Sequence, residues 1–195
     1  MDSEKEIWSR ISETDYKRFL DILGAKFGTS KVTKRIAIQA TDYNRQDLDT
    51  RVRITNGKAK IMQKKGGWKD ETRIEISTPL GTEPETVYNA YRTIRNLLPG
   101  DNVETSIIQT ENTLFQNEEY EIKLTHQSGK TDVYNYEIEV FDHSLNPTDI
   151  VKEMSIPIDS PESTPEFWKE WNSKVNLMAD SLSEEEMLEL IKKYL

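Results

Sequence analysis

The chain has 195 residues with 35% hydrophobic and 31% charged residues, and its eight tyrosines, five phenylalanines and four tryptophans argue against intrinsic disorder. The formal net charge of −9 argues against a general nucleic-acid coat protein and against extended duplex binding, but a local basic channel is compatible with it. Because there are no cysteines, disulfides, thiol catalysis and zinc–sulfur sites are excluded.

The first part of the chain predicts a strand, a helix and four further strands. The strand covers 6–11, and the helix begins with cap residues at 12–15 and stops at Gly24. The hydrophobic period then changes to two, which predicts strands over 32–39, 49–54, 59–64 and 72–77. Asn56-Gly57 is a strong hairpin signal between the second and third of these strands.

The second part predicts a helix opened by 82–85, then more strands and a helical end. The strands cover 103–108, 120–125 and 133–141, and the later helices 146–154, 166–179 and 183–194. About eight antiparallel strands interrupted by helices predict an α+β fold built on a barrel or strongly curved sheet. We expect 1–145 to form the barrel domain with two inserted helices, and 146–195 a helical extension that packs on it.

Charge is segregated among the predicted strands. Glu137 and Glu139 lie two residues apart in the last strand, so both point to one face of the sheet. Two neighbouring carboxylates are best tolerated with a cation between them. The middle strands repeat the alternation with mostly basic residues: Arg51, Arg53, Lys58, Lys60, and Arg73 with Glu75. Solvent-facing strands would explain any one of these patterns, but the segregation favours a site for a metal and a polyanion.

The order of these motifs resembles the triphosphate tunnel metalloenzymes, which include the CYTH proteins and the metal-dependent RNA triphosphatases of mRNA capping. The resemblance covers roughly 4–142: an acidic strand and helix, an Arg-x-Arg strand, a strand ending in Lys, an Arg-x-Glu strand, a helix and a late Glu-x-Glu strand. The segments 120–125 and 136–140 look closer to the capping triphosphatases. The resemblance implies an eight-stranded antiparallel β-barrel, the triphosphate tunnel, with flanking helices and a C-terminal helical tail.

The resemblance also implies an activity and a site. The activity is metal-dependent removal of the terminal phosphate from an RNA 5′-triphosphate or a small inorganic or organic triphosphate. Glu6, Glu137 and Glu139 would hold Mg²⁺ or Mn²⁺, since oxygen ligands suit these hard cations. Glu137, Glu139 and Glu75 are the candidate catalytic residues. The candidate phosphate ligands are basic residues on several strands: Arg10, Arg51, Arg53, Lys60, Lys64, Arg73 and Lys123.

Some positions depart from the family pattern. The first-strand acids are either Glu4 with Glu6, which puts Trp8 where a base belongs, or Glu6 with Trp8, which keeps Arg10 as the base and loses a carboxylate. The sixth strand has no basic residue, and Lys123 stands where the seventh usually offers an acid. A second function therefore stays open: a catalytically degenerate tunnel domain that binds a polyphosphate, a nucleotide or a protein partner. A third is an unrelated interaction domain with water-facing charged strands.

The sequence also limits location and partners. No apolar run approaches the ~20 residues of a membrane-spanning helix, and the acidic N-terminus resembles no signal peptide. We expect a soluble, intracellular, cytoplasmic protein with no membrane contact and a triphosphate-bearing partner that could be an RNA 5′ end. A contact with a partner or a following domain stays open at the C-terminal helix.

Overall fold

The computed structural model describes residues 5–43, 48–65, 74–98, 103–142, 144–161 and 164–195. The strands are β1 (Lys5–Ile11), β2 (Lys31–Asp42), β3 (Leu48–Thr55), β4 (Lys58–Lys65), β5 (Ile74–Pro79), β6 (Val103–Gln116), β7 (Tyr120–Ser128), β8 (Val133–Val140) and β9 (Leu177–Met178). The α-helices are α1 (Glu13–Phe27), α2 (Pro84–Leu97), α3 (Pro147–Glu153), α4 (Pro165–Val175) and α5 (Glu184–Lys192).

The described strands form one sheet in the order β1-β8-β7-β6-β2-β3-β4-β5, with β9 beside β6. Pairing is antiparallel between β1 and β8, β7 and β8, β2 and β3, β3 and β4, and β4 and β5. The predicted α+β class with an antiparallel sheet and flanking helices is confirmed. None of the helices in the described parts of the chain is long and apolar enough to cross a membrane.

The chain divides into two compact units. Unit 1 comprises Met1–Thr33, Thr110–Gln127 and Asp132–Glu162, and unit 2 comprises Lys34–Gln109, Ser128–Thr131 and Ser163–Leu195. Each unit has its own hydrophobic core. The domain boundary at residue 145 stays a prediction.

The core of unit 1 lies between the helices α1 and α3 and the apolar face of β7 and β8. Phe19 of α1 is fully buried and packs edge-on against Tyr136 of β8, with ring centroids 5.5 Å apart. Ile122 and Ile138 are also fully buried in this cluster, which α3 joins through Val151. Because side chains alternate along a strand, burial of this face leaves the neighbouring residues on the polar face.

The core of unit 2 lies between the helices α2 and α5 and the apolar face of β2, β3 and β4. Ile38 and Val52 are buried in it together with Val87 of α2 and Ile191 of α5. The Asn56-Gly57 turn between β3 and β4 is confirmed, since both residues have positive φ, 47° and 78°. The alternation that buries these residues leaves the basic residues of β3 and β4 on the polar face.

Helix α1 does not end at Gly24 as predicted. It continues to Phe27, and Gly28 ends it with a φ of 75° and a backbone N–H bond to the Gly24 carbonyl. An exposed glycine costs a helix only about 1 kcal/mol, which the buried Phe19 and Leu23 on the same helix offset. The left-handed conformation at the helix end is what requires glycine, so Gly28 is the stop.

Two further boundaries differ from the prediction. Strand β6 runs on to Gln116 because its polar residues find partners: Asn112 accepts a hydrogen bond from Thr125 at 2.9 Å. Helix α4 ends at Val175, and the next residues form β9, which pairs with Ser106 and Ile107 of β6. Helix α5, predicted over 183–194, opens with a capping box between Ser183 and Glu186.

A glycine-to-alanine change at Gly129, after β7, is expected to cost about 2 kcal/mol of unfolding free energy. An alanine Cβ there would lie 2.3 Å from the Val175 carbonyl oxygen, a backbone atom that Lys130 N–H also binds at 2.8 Å. The control is Gly24→Ala, which meets no atom within 4 Å and is expected to stabilise α1 by about 0.5–1 kcal/mol. Chemical denaturation would measure both, and equal effects of the two changes would contradict this account.

Candidate functional site

The polar side of β3 and β4 in unit 2 forms a cationic face. Arg53 lies opposite Lys60 in the β3–β4 ladder, and Lys64 lies opposite Glu75 in the β4–β5 ladder. Opposed residues of an antiparallel pair project to the same side, as do residues two apart in a strand. We call Arg51, Arg53, Lys60 and Lys64 the cationic face. Arg73, also predicted to bind phosphate, lies outside the described residues.

Asp49 holds one member of this face in place. Its side chain is 6% exposed, and Arg51 Nε donates to Asp49 Oδ1 at 3.0 Å while Arg51 Nη2 pairs with Oδ2. This forked arrangement satisfies the buried carboxylate. The sequence reasoning missed Asp49, although its position two residues before Arg51 places both on the same face.

Within the described ranges, the Nε–H donor of Arg53 has no carboxylate partner of the kind that Arg51 has. Its Nε is buried and has no hydrogen-bond partner among the described residues. Burial lowers the pKa of Arg53, nearby Arg51 lowers it further, and the negative charges of Glu75 and Asp49 partly offset both effects. Because buried donors in folded proteins almost always have a partner, this guanidinium is well placed to bind an anion.

Glu75 lies between the two lysines of the face. Lys60 Nζ is 3.4 Å from Glu75 Oε1, and Lys64 Nζ is 3.5 Å from Oε2. Burial acts to raise the pKa of Glu75, but Lys64 and Lys60 outweigh it, so the pKa is lowered. Glu75 is therefore held as a carboxylate that positions the lysines, and its predicted catalytic role stays a prediction.

The polar side of β1, β8 and β7 in unit 1 carries an acidic face. Glu139 lies opposite Glu6 of β1 and opposite Glu121 of β7, which makes a row of three carboxylates across three strands. We call Glu6, Glu121, Glu137 and Glu139 the acidic face. Glu121 was not among the predicted site residues, because which residues oppose each other depends on the hairpin register and not on strand periodicity.

Glu137 has different neighbours from Glu139. It lies opposite Trp8 on β1 and opposite Lys123 on β7. Lys123 Nζ donates to Glu137 Oε1 at 2.6 Å, and the two side chains are only 26% and 28% exposed. Lys123 was predicted to bind phosphate, whereas the structure brings its ammonium group to the predicted metal ligand Glu137.

Arg10, the predicted base of β1, is also paired. Its Nε donates to Asp159 Oδ2 at 2.9 Å, and its Nη2 donates to Oδ1 at 3.0 Å. The backbone supports this pair, since Arg10 N–H bonds the Asp159 carbonyl at 2.9 Å and Asp159 N–H bonds Ser9 Oγ at 2.7 Å. The segment after α3 thus supplies a counter-ion that the sequence did not predict.

Glu121 gives a pH-dependent prediction. Burial raises the pKa of Glu121, the positive charge of Lys123 lowers it, and Glu137 raises it again, with a net upward shift. Folding therefore disfavours the ionised form, so Glu121→Gln is expected to raise the melting temperature at neutral pH. The gain should shrink as the pH falls through the raised pKa, because the wild type then protonates too. Glu189→Gln is the control of opposite sign, since Lys192 lowers the pKa of Glu189.

Comparison with known proteins identifies the fold. No protein-family model matches the sequence, and no curated protein matches it significantly. A candidate adenylate cyclase from Bacillus halodurans matches with a TM-score of 0.61 at 17% identity, over 86% of this chain and 97% of that one. A candidate adenylyl cyclase from Hippeastrum with a dominant triphosphatase activity matches with a TM-score of 0.60 at 14% identity, over 88% of this chain and 97% of that one.

A chain of the Schizosaccharomyces pombe Mediator head module also matches, with a TM-score of 0.51 at 10% identity, over 80% of this chain and 96% of that one. Sequence identities this low show a shared fold. The chain has the fold of the triphosphate tunnel metalloenzymes. The tunnel fold was the one that the order of the strand motifs predicted.

The tunnel-fold resemblance implies a divalent metal on the acidic face. No group of three or more histidine, cysteine, aspartate or glutamate side chains among the described residues is arranged to hold a metal ion. An oxygen of Glu137 is bound by Lys123, and Trp8 opposite it offers no ligand atom, since indole is only a donor. The predicted set of Glu6, Glu137 and Glu139 therefore does not fit a resident divalent cation as these residues are placed.

Proposed function

We propose that this chain binds a triphosphate-bearing anion on its cationic face and removes the terminal phosphate. The observation that supports this best is the buried Arg53 Nε, which has no partner among the described residues. Because this Nε is buried, the Arg53 side chain would have to turn toward the ligand for a phosphate oxygen to supply the missing acceptor. Among the described residues, two acids contact the cationic face, Asp49 and Glu75. They offset two of its four positive charges, so a net attraction for a polyanion is left.

The arginines and lysines of the cationic face would have different roles toward the triphosphate. The planar guanidinium of Arg53 suits phosphate oxygens, and charge-assisted hydrogen bonds are roughly twice as strong as neutral ones. A bound phosphate would also reduce the repulsion between Arg53 and Arg51. During transfer of the terminal phosphoryl group, Lys60 and Lys64 would stabilise the charge on its oxygens. We assign this stabilisation to the cationic face because the acidic face does not fit a metal.

The substrate class follows from the same chemistry. An RNA 5′-triphosphate and a small inorganic or organic triphosphate both carry the linked phosphates that this face would bind. The dependence on Mg²⁺ or Mn²⁺ and the roles of Glu137, Glu139 and Glu75 in catalysis stay predictions from the resemblance. A contact of α5 with a partner or a following domain also stays a prediction from the sequence.

The second candidate function is triphosphate binding without turnover. The observation that favours it is the neighbourhood of Glu137, where Lys123 and Trp8 stand in place of further acids. The fold by itself does not select one activity, since it also occurs in a chain of the Mediator head module.

One experiment separates the two candidates. Phosphate release would be measured with tripolyphosphate, nucleoside triphosphates and triphosphate-ended RNA, each with Mg²⁺, Mn²⁺ or EDTA. We expect release by the wild type, and its loss in Arg53→Leu but not in Arg92→Ala, which removes an exposed arginine of α2. If nothing is hydrolysed but tripolyphosphate raises the melting temperature, binding without turnover is favoured. If neither occurs, both candidates are wrong.

A further inference from the structure

We infer that Lys123 is the built-in cation of the acidic face and takes the place of a divalent metal ion at Glu137. The first observation is geometric: Lys123 lies directly opposite Glu137 on the neighbouring strand, with its Nζ 2.6 Å from Glu137 Oε1. The pair is about three-quarters shielded from solvent, so water and salt screen its charges less than those of a surface ion pair. All the residues concerned belong to unit 1.

The surroundings of the ammonium group support the same assignment. Lys123 is two residues from Glu121 on one strand, and Glu137 is two residues from Glu139 on the next, so three carboxylates share one face of the sheet with this ammonium. Burial raises the pKa of the Glu121 carboxyl, and the charge of Lys123 also acts on this group and lowers its pKa against that effect. A lysine ammonium has three donors and no acceptor, which suits a position among carboxylate oxygens. On the other side of Glu137, the residue opposite it on β1 is Trp8, which has no oxygen that could bind a metal.

This arrangement has a consequence for metal binding. A divalent ion would have to displace Lys123 from Glu137 and leave a partly buried ammonium among fewer partners, which costs free energy. The wild-type chain is therefore expected not to bind Mg²⁺ or Mn²⁺ at Glu137. A carboxylate at position 123 would remove the competing charge and add oxygen ligands beside Glu137 and Glu121, so Lys123→Glu should create a metal site.

The test is a titration with Mn²⁺ as the only ligand, followed by the electron paramagnetic resonance of the free ion. We expect no saturable binding that depends on Glu137 in the wild type. Lys123→Glu should bind Mn²⁺ at least about tenfold more tightly than the wild type, and Glu137→Gln added to it should abolish the gain. Lys26→Glu makes the same charge change on the exposed end of α1 and should show no gain.

Two results would overturn the inference: Mn²⁺ binding by the wild type that Glu137→Gln removes, or a folded Lys123→Glu that binds no metal. Folding of the variant would be checked by circular dichroism and a cooperative melt. If Lys123→Glu does not fold, Lys123→Gln serves instead, since it removes the competing charge at nearly the same length. The readout is metal binding alone, so its failure is distinguishable from a failure of triphosphate binding on the cationic face of unit 2.

Discussion

Replacing Arg53 with leucine is expected to weaken triphosphate binding strongly and, at the same time, to raise the free energy of unfolding. The Arg53 Nε is buried without a partner among the described residues, so the folded chain carries the desolvation cost of that donor when no anion is bound. Leucine removes the cost and the repulsion with Arg51. We expect a gain of about 1 kcal/mol in unfolding free energy.

Binding is expected to change in the opposite direction. Loss of the guanidinium removes charge-assisted hydrogen bonds to the phosphates, which corresponds to a loss of about 100-fold in affinity for tripolyphosphate. Calorimetry would measure the affinity and denaturation the stability, with Arg92→Ala as the control that keeps both near wild type. A variant that loses stability and keeps its affinity would show that Arg53 is a structural residue only.

Replacing Asp49 with alanine is expected to lower the free energy of unfolding by about 3 kcal/mol. Asp49 is 6% exposed, and its carboxylate holds Arg51, which is only 22% exposed. Removing one partner of such a pair leaves the other charge poorly solvated, and here it also leaves Arg51 beside Arg53 without its counter-ion. Asp149→Ala, which removes a carboxylate 65% exposed on α3, is the matched control and should have little effect.

The same Asp49→Ala variant should bind tripolyphosphate more tightly than the wild type, because the freed guanidinium of Arg51 becomes available to the ligand. Thermal melts with and without tripolyphosphate would show this as a larger stabilisation of the variant. Weaker binding would show instead that Asp49 positions Arg51 for the ligand, and a stability close to wild type would contradict the buried-pair interpretation.

Local patterns in the sequence predicted most of the fold. Period-two alternation located the strands, and the Asn56-Gly57 signal located a hairpin, because both depend only on neighbouring residues. The predicted end of α1 at Gly24 was wrong. A glycine inside a helix and a glycine that ends one cannot be told apart in the sequence, and only the left-handed φ of Gly28 shows that the helix ends there. The length of β6 depended on partners such as Thr125 that come later in the chain.

The candidate site was predictable in its composition but not in its pairing. Alternation placed Arg51 with Arg53, and Glu137 with Glu139, on common faces. Alternation could not show that Lys123 donates a hydrogen bond to Glu137, because that contact depends on strand register. It also could not show that Arg10 pairs with Asp159, because Asp159 lies in a segment far along the chain. The pairing of Lys123 with Glu137 is the basis for our inference that an ammonium group, and not a metal ion, neutralises the acidic face.

The most direct test of triphosphate binding on the cationic face is a nuclear magnetic resonance titration of the arginine Nε–H signals with tripolyphosphate. Arg53 Nε–H has no acceptor among the described residues, so a bound phosphate should move its signal saturably. We expect the Arg53 and Arg51 signals to shift together while that of Arg92 stays in place. Signals of Arg51 and Arg53 that do not move at saturating tripolyphosphate would contradict the account.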